Sequence, residues 1–202
     1  MALKQLVPAA QRKMPVITIG GEHYRLFGHI QDREDIGNFN SVTPWTILGN
    51  DTDNLSVAPE HIYGTGSLQF DKVDGLAGTV FAGASCTITS LDLSRFTAMD
   101  QLCASIYVSD DTNVAYARVR MGTAAGHCNE WQFDDAVLNG ATAWNFVHVP
   151  LGEGATAGVG NGWDMSAIVY LEVAVAFDGE ANALAELRWD HLQVIRSHVT
   201  TT

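Results

Sequence analysis

Two carboxylate doublets, Asp110-Asp111 and Asp134-Asp135, have the residue types and closeness that catalysis uses. Hydrolysis of a glycosidic bond needs two carboxyl groups roughly 5–9 Å apart, one of them with a raised pKa. Adjacent residues on a strand point to opposite faces, so neither doublet makes such a pair alone. Solvated turns are the competing account. No Gly-x-Ser-x-Gly elbow occurs. The seven histidines are scattered, without a His-x-His or His-Glu-x-x-His pairing. The glycine-rich stretches lack the lysine and helix of a phosphate loop. The expectation is a chain without enzymatic activity and without a transition metal.

Two other constellations invite binding chemistry. Hard cations want several oxygen ligands. Asp190, near the last strand, and Glu34 and Asp35, before the first body strand, would be neighbours in a two-sheet fold and could hold a structural calcium ion. A hydrogen-bonded carboxylate that anchors a loop is the alternative for Asp190. Of the five tryptophans, Trp131 and Trp163 are the candidates for stacking on a sugar face. Burial in the core is the alternative for both.

Charge narrows the partners. The chain of 202 residues has a net charge of −12, so nucleic acid is not expected as a partner, because phosphates need clustered Lys and Arg. Residues 1–33 run the other way, with Lys4, Arg12, Lys13, Arg25 and Arg33 against Glu22 and Asp32, a balance of +3. A basic arm on an acidic body points to docking on an acidic surface; a disordered leader is the alternative. Cys86, Cys103 and Cys128 are widely spaced, and Cys86 and Cys103 fall in strand-like runs as small hydrophobes. No signal-peptide pattern and no run of 18 apolar residues is present, so no membrane partner is expected.

The elements that would position these residues are strands. Runs rich in β-branched and aromatic residues lie near 45–48, 54–58, 66–71, 79–89, 101–109, 114–121, 130–134, 144–149, 167–177 and 184–195. Gly, Asn and Asp clusters separate them. In Val114–Met121 the apolar face is Ala115, Ala117, Val119 and Met121. In 184–195, Leu192 and Val194 share a face with Asp190, opposite Leu187 and Trp189, so Asp190 should point partly inward. One short helical turn is expected in 91–100, with Ser94 as its cap. Val16, Ile17 and Ile19 form a β-prone run ending at Gly20-Gly21, suited to a neighbour's sheet edge or to the domain's own sheet. The division is an extended N-terminal arm, 1–30, and an all-β, two-sheet antiparallel jelly-roll sandwich, 31–202.

The order of motifs carries a resemblance. Asn38-Phe39 and Trp45 come first, then HIYGTGSLQFDK (61–72) and TSLDLSRFTAMDQLCASIYVSD (89–110). RVRMG (118–122), NEWQF (129–133), AWNFVHVPL (143–151), WDMSAIVYLEV (163–173) and RWDHLQV (188–194) follow. This series resembles the carbohydrate-binding-module jelly roll over residues 36–195. Such domains occur as sugar-binding modules. They also occur as free-standing virion proteins of bacteriophages, including capsid decoration or cement proteins. The second setting implies a structural protein assembled in the host cytoplasm. Its arm, with Lys4, Arg12, Lys13, Val16, Ile17, Ile19 and Arg25, would grip the major capsid protein or a sister subunit, and a homo-oligomer such as a trimer is implied. The alternative is a carbohydrate-binding module, or a tail or fibre protein that binds host glycans.

Overall fold

The computed structural model describes residues 16–19, 22–25, 33–49, 51–73, 80–134, 138, 143–158, 164–178 and 184–196. Among them the chain forms fourteen strands and no α-helix. In chain order they are β1 (Val16–Ile19), β2 (Glu22–Arg25), β3 (Arg33–Asp35), β4 (Thr46–Ile47), β5 (Thr52–Ala58), β6 (Ser67–Lys72) and β7 (Val80–Leu91). Then come β8 (Gln101–Val108), β9 (Val114–Ala124), β10 (His127–Asp134), β11 (Ala143–Pro150), β12 (Ala155–Gly158), β13 (Ile168–Phe177) and β14 (Leu184–Ile195). The ten expected body strands are all present. β2, β3 and β12 were not foreseen; each is at most four residues long.

Two antiparallel sheets form the body. One runs β11-β8-β14-β6-β5, with β3 also on β14; the other runs β12-β10-β9-β13-β7-β4. Alternation places every second side chain between them. Leu68, Phe70, Leu102, Ile106, Trp189 and Val194 from the first sheet meet Val119, Met121, Trp131, Phe133, Leu171 and Val173 from the second. Each such side chain, fully buried, contributes roughly 1.5–3 kcal/mol. The fold is the two-sheet sandwich expected from the sequence.

Strand β14 departs from simple alternation. Asp190 pairs with Ser105 and Gln193 with Cys103, so three steps on β14 oppose two on β8. His191 sits in this bulge at φ 52°. The extra residue flips the later half of the strand. Leu187, Trp189, Leu192 and Val194 therefore all join the core, and Asp190 stands on the outer face with Gln193. The expectation that Asp190 shares a face with Leu192 and Val194 is corrected by this bulge.

The 91–100 segment holds no helix. Its turns are held by side chains other than Ser94: Asp92 accepts the Ser94 N–H at 2.8 Å and Asp100 accepts the Thr97 N–H at 2.7 Å. Val16–Ile19 pairs with Glu22–Arg25 as a two-stranded sheet, and among the described residues it pairs with neither large sheet. Only two residues, both glycine, lie between the strands, which is the commonest hairpin length.

Candidate functional site

The register of the first sheet sets up a row across its outer face. Trp144 of β11 pairs with Tyr107 of β8, and Tyr107 with Arg188 of β14. Arg188 pairs with Gln69 of β6, and Gln69 with Ser56 of β5. The Trp144 and Tyr107 rings lie 5.9 Å apart at 58°. The Arg188 guanidinium lies 4.7 Å over the Tyr107 ring, and its Nε donates to Gln69 Oε1 at 2.9 Å. Glu186 and Glu60 lie 3.3 and 3.7 Å from its terminal nitrogens. On the next row outward-facing Phe146 pairs with Ser105; on the third, His148 pairs with Cys103. Phe146 is 68% exposed, and His148 Nδ1 lies 3.2 Å from Gln101 Oε1. Burial pushes the Cys103 thiol up to about 11, so it is a poor nucleophile here.

The loop at 59–66 forms one rim of this face. Asp190 holds it: Oδ2 accepts the N–H groups of Ile62 at 2.6 Å and Tyr63 at 2.7 Å, while Oδ1 accepts the His191 N–H at 2.7 Å. Asn40 Oδ1 holds the other side, accepting from Thr65 and Gly66 N–H at 2.6 and 2.9 Å. Gly64, at φ +83°, packs against that amide, where a Cβ would collide. The Tyr63 ring stacks on His191 with centroids 5.0 Å apart. Burial holds the His191 imidazole below its usual range, against the pull of Asp35 and Asp190. Ser105 Oγ, Gln193 Oε1 and His191 Nε2 are buried near this rim without a hydrogen-bond partner.

The outer face of the second sheet is different in kind. Arg118 bonds Glu172 at 2.6 Å and approaches Glu130 at 3.5 Å, and Arg120 bonds Glu130 at 2.6 Å. Tyr170 donates to Glu172 at 2.6 Å, and the Arg118 guanidinium lies 3.7 Å over Phe81. Two cations and two anions neutralise one another in a largely buried block. Burial alone would raise the Glu130 carboxyl. Hydrogen bonds from Gln132 and Arg120 and the nearby guanidiniums outweigh it and hold that carboxyl below its usual range. A depressed carboxyl is the reverse of what a general acid needs. This block braces the sheet, whereas the outer face of the first sheet presents aromatic rings, Phe146 being 68% exposed.

The structure relocates the residues chosen from sequence. Trp131 is 1% exposed and lies in the core, its Nε1 donating to Leu151 O at 3.0 Å. It offers no face to a sugar. Trp163 lies outside the described residues. Among the described residues Trp144 is the tryptophan on the outer face, and its signal was present in the alternation: Val147 and Val149 point inward, so Trp144, Phe146 and His148 must point out. Asp190 is the loop anchor, with both oxygens taken by backbone N–H groups. Glu34 pairs with Arg95, and Asp35 lies opposite Gln193 on the β3 edge. Among the described residues no group of three or more His, Cys, Asp or Glu could hold a metal ion. Asp110 accepts the Thr112 N–H at 2.9 Å in its own turn, and those hydrogen bonds lower its carboxyl pKa. Asp135, Lys4, Arg12 and Lys13 lie outside the described residues. Val16, Ile17, Ile19 and Arg25 lie in the β1–β2 hairpin.

Comparison of the whole fold with solved structures is decisive. A family 11 carbohydrate-binding module from Clostridium thermocellum, in complex with a β-1,3-1,4-mixed-linked tetrasaccharide, superposes with a TM-score of 0.53 at 12% identity. The match covers 82% of this chain and 96% of that one. The family 11 module of the cellulosomal cellulase Lic26A-Cel5E from the same organism gives 0.54 at 11% identity, covering 84% and 98%. A family 30 carbohydrate-binding module gives 0.52 at 13%, covering 81% and 95%. The fold is that of a carbohydrate-binding-module jelly roll. No family model matches the sequence, and no curated protein does. The likeness is therefore one of fold, and these solved structures are carbohydrate-binding modules.

Proposed function

We propose that the chain is a non-catalytic binding module that takes carbohydrate on the outer face of β11, β8 and β14. The observation that carries this is the Trp144–Tyr107–Arg188–Gln69 row. Aromatic rings cover the apolar CH face of a pyranose, and an imidazole and an amide at the margin bond its hydroxyls. Trp144 and Tyr107 are the stacking surface and His148 and Gln69 supply the polar contacts, while the buried Arg188 holds the Tyr107 ring and the Gln69 amide in place. The likeness to a module solved in complex with a β-1,3-1,4-mixed-linked tetrasaccharide supports the substrate class.

Isothermal titration with a mixed-linkage β-glucan, backed by a glycan array, tests it. Trp144→Ala should weaken binding about ten-fold or more, the effect of roughly 1.4 kcal/mol, with an unchanged circular dichroism spectrum. Absence of any glycan ligand, or binding indifferent to both Trp144→Ala and Tyr107→Ala, would overturn it.

A second reading is a virion structural protein, such as a capsid decoration protein. What speaks for it is the charge balance of the sequence, +3 over residues 1–33 in a chain of net charge −12. Under that reading the Trp144 variant still assembles, and removal of residues 1–30 abolishes assembly.

A further inference from the structure

A sheet edge presents unpaired backbone N–H and C=O groups, and folded proteins blunt their edges. Three described edges of the sandwich are blunted. β4 has two residues and β12 four. β5 carries a register shift between Asp53 and Ser56 and a left-handed Asn54 at φ 53°. The edge at β11 has none of these devices. It is eight residues long, its pairing with β8 runs without a register shift, and it holds no Asp, Glu, Lys or Arg. Its proline, Pro150, is the last residue. Among the described residues no strand pairs with its other side. A depression of about 670 Å³, lined by Phe133, Val149 and Pro150 and also by Gln132, Asp134 and Glu153 of neighbouring segments, opens beside its C-terminal half.

We infer that β11 pairs antiparallel with β11 of a second copy of this chain, across a two-fold axis. The strand is complementary to itself. An axis at Phe146 sets Phe146 against Phe146 and Trp144 against His148 on the outer face. It sets Asn145 against Val147 on the inner one. Aromatic and aromatic–imidazole neighbours of this kind stabilise antiparallel pairs, and no charge meets its like. Charge also decides the place. With a net charge of −12, copies repel one another over most of their surface, and β11 is a long edge free of carboxylates. A two-fold interface uses the same patch twice, so no further surface has to be matched. The join would run the aromatic row of one copy into that of the next, and it stands whether or not carbohydrate binds there.

Sedimentation velocity of the full chain tests this, with an expected mass twice the 21.8 kDa of one copy. Phe146→Lys and Phe146→Glu each place like charges at the axis, and each alone should sediment as a monomer. Mixed in equal amounts the two should form the dimer again, a rescue that requires residue 146 to face itself. Phe146 is mostly exposed, so both variants should keep the circular dichroism spectrum of the parent. A monomeric parent overturns the inference. So does a dimer that survives either single variant, or one that is lost on removing residues 1–30 while tolerating both charges at position 146.

Discussion

Replacing Asp190 by alanine should lower the melting temperature by about 10 °C. The carboxylate accepts three backbone N–H groups, from Ile62, Tyr63 and His191, and is 1% exposed. Each buried donor left without a partner costs about 1–3 kcal/mol. Part of that returns as water reaches the loosened loop, leaving about 3–5 kcal/mol. At about 2–4 °C per kcal/mol for a domain of this size, the shift follows. Asp190→Asn should cost roughly half as much, because one acceptor oxygen remains while the NH₂ group turns toward donors. Calorimetry reads the shift, and hydrogen exchange at Ile62 and Tyr63 reads its origin. A fall under about 2 °C with both amides still protected would refute the anchoring role.

The second large effect belongs to Arg118. Its side chain is 7% exposed and pairs with Glu172, which is buried deeper still. Arg118→Ala leaves that carboxylate with Tyr170 and a more distant Arg120, at 3.7 Å. Breaking one half of a buried pair costs about 3–5 kcal/mol, whereas replacing both halves by apolar residues is often neutral. The double variant Arg118→Met, Glu172→Leu should therefore recover most of the stability. Urea unfolding of the parent, both single variants and the double variant measures the coupling. Additive losses would show that the pair contributes nothing as a pair.

Glu130 adds a pH dependence to the same block. Its carboxyl lies below the usual range in the folded state. Its contribution is therefore present above the unfolded carboxylate range and is lost as pH falls through the folded value. Stability should drop on acidification from about pH 4 downward, and Glu130→Gln should flatten that limb of the curve. An unchanged acid limb in the variant would locate the acid sensitivity elsewhere.

Much of the architecture was written in local pattern. Val147 and Val149 against Trp144, Phe146 and His148, or Ala117 and Val119 against Arg118 and Arg120, assign faces by alternation alone. The β-prone run at Val16–Ile19 was legible too, but its pairing with Glu22–Arg25 was not, since EHYR has no strong strand signal of its own. The site was less so. Trp131 and Trp144 each lie in a run of alternating residues, and ring chemistry does not distinguish them. Trp131 lies under the other sheet, and Trp144 on the face turned away from it.

Alternating apolar residues and turn-forming clusters were enough to specify strands, their inward faces and two antiparallel layers, because a period of two is a property of the backbone. Three things waited for the assembled sandwich. The bulge at His191 turned Asp190 to the outer face, which depends on how β14 meets β8. The row from Trp144 to Ser56 joins residues as far apart in the chain as Ser56 and Arg188, and only pairing register aligns them. The edge at β11, which no other strand pairs among the described residues, exists only because strand order leaves it outermost. Each is a relation between strands distant in the chain, and local side-chain chemistry carries no record of such relations.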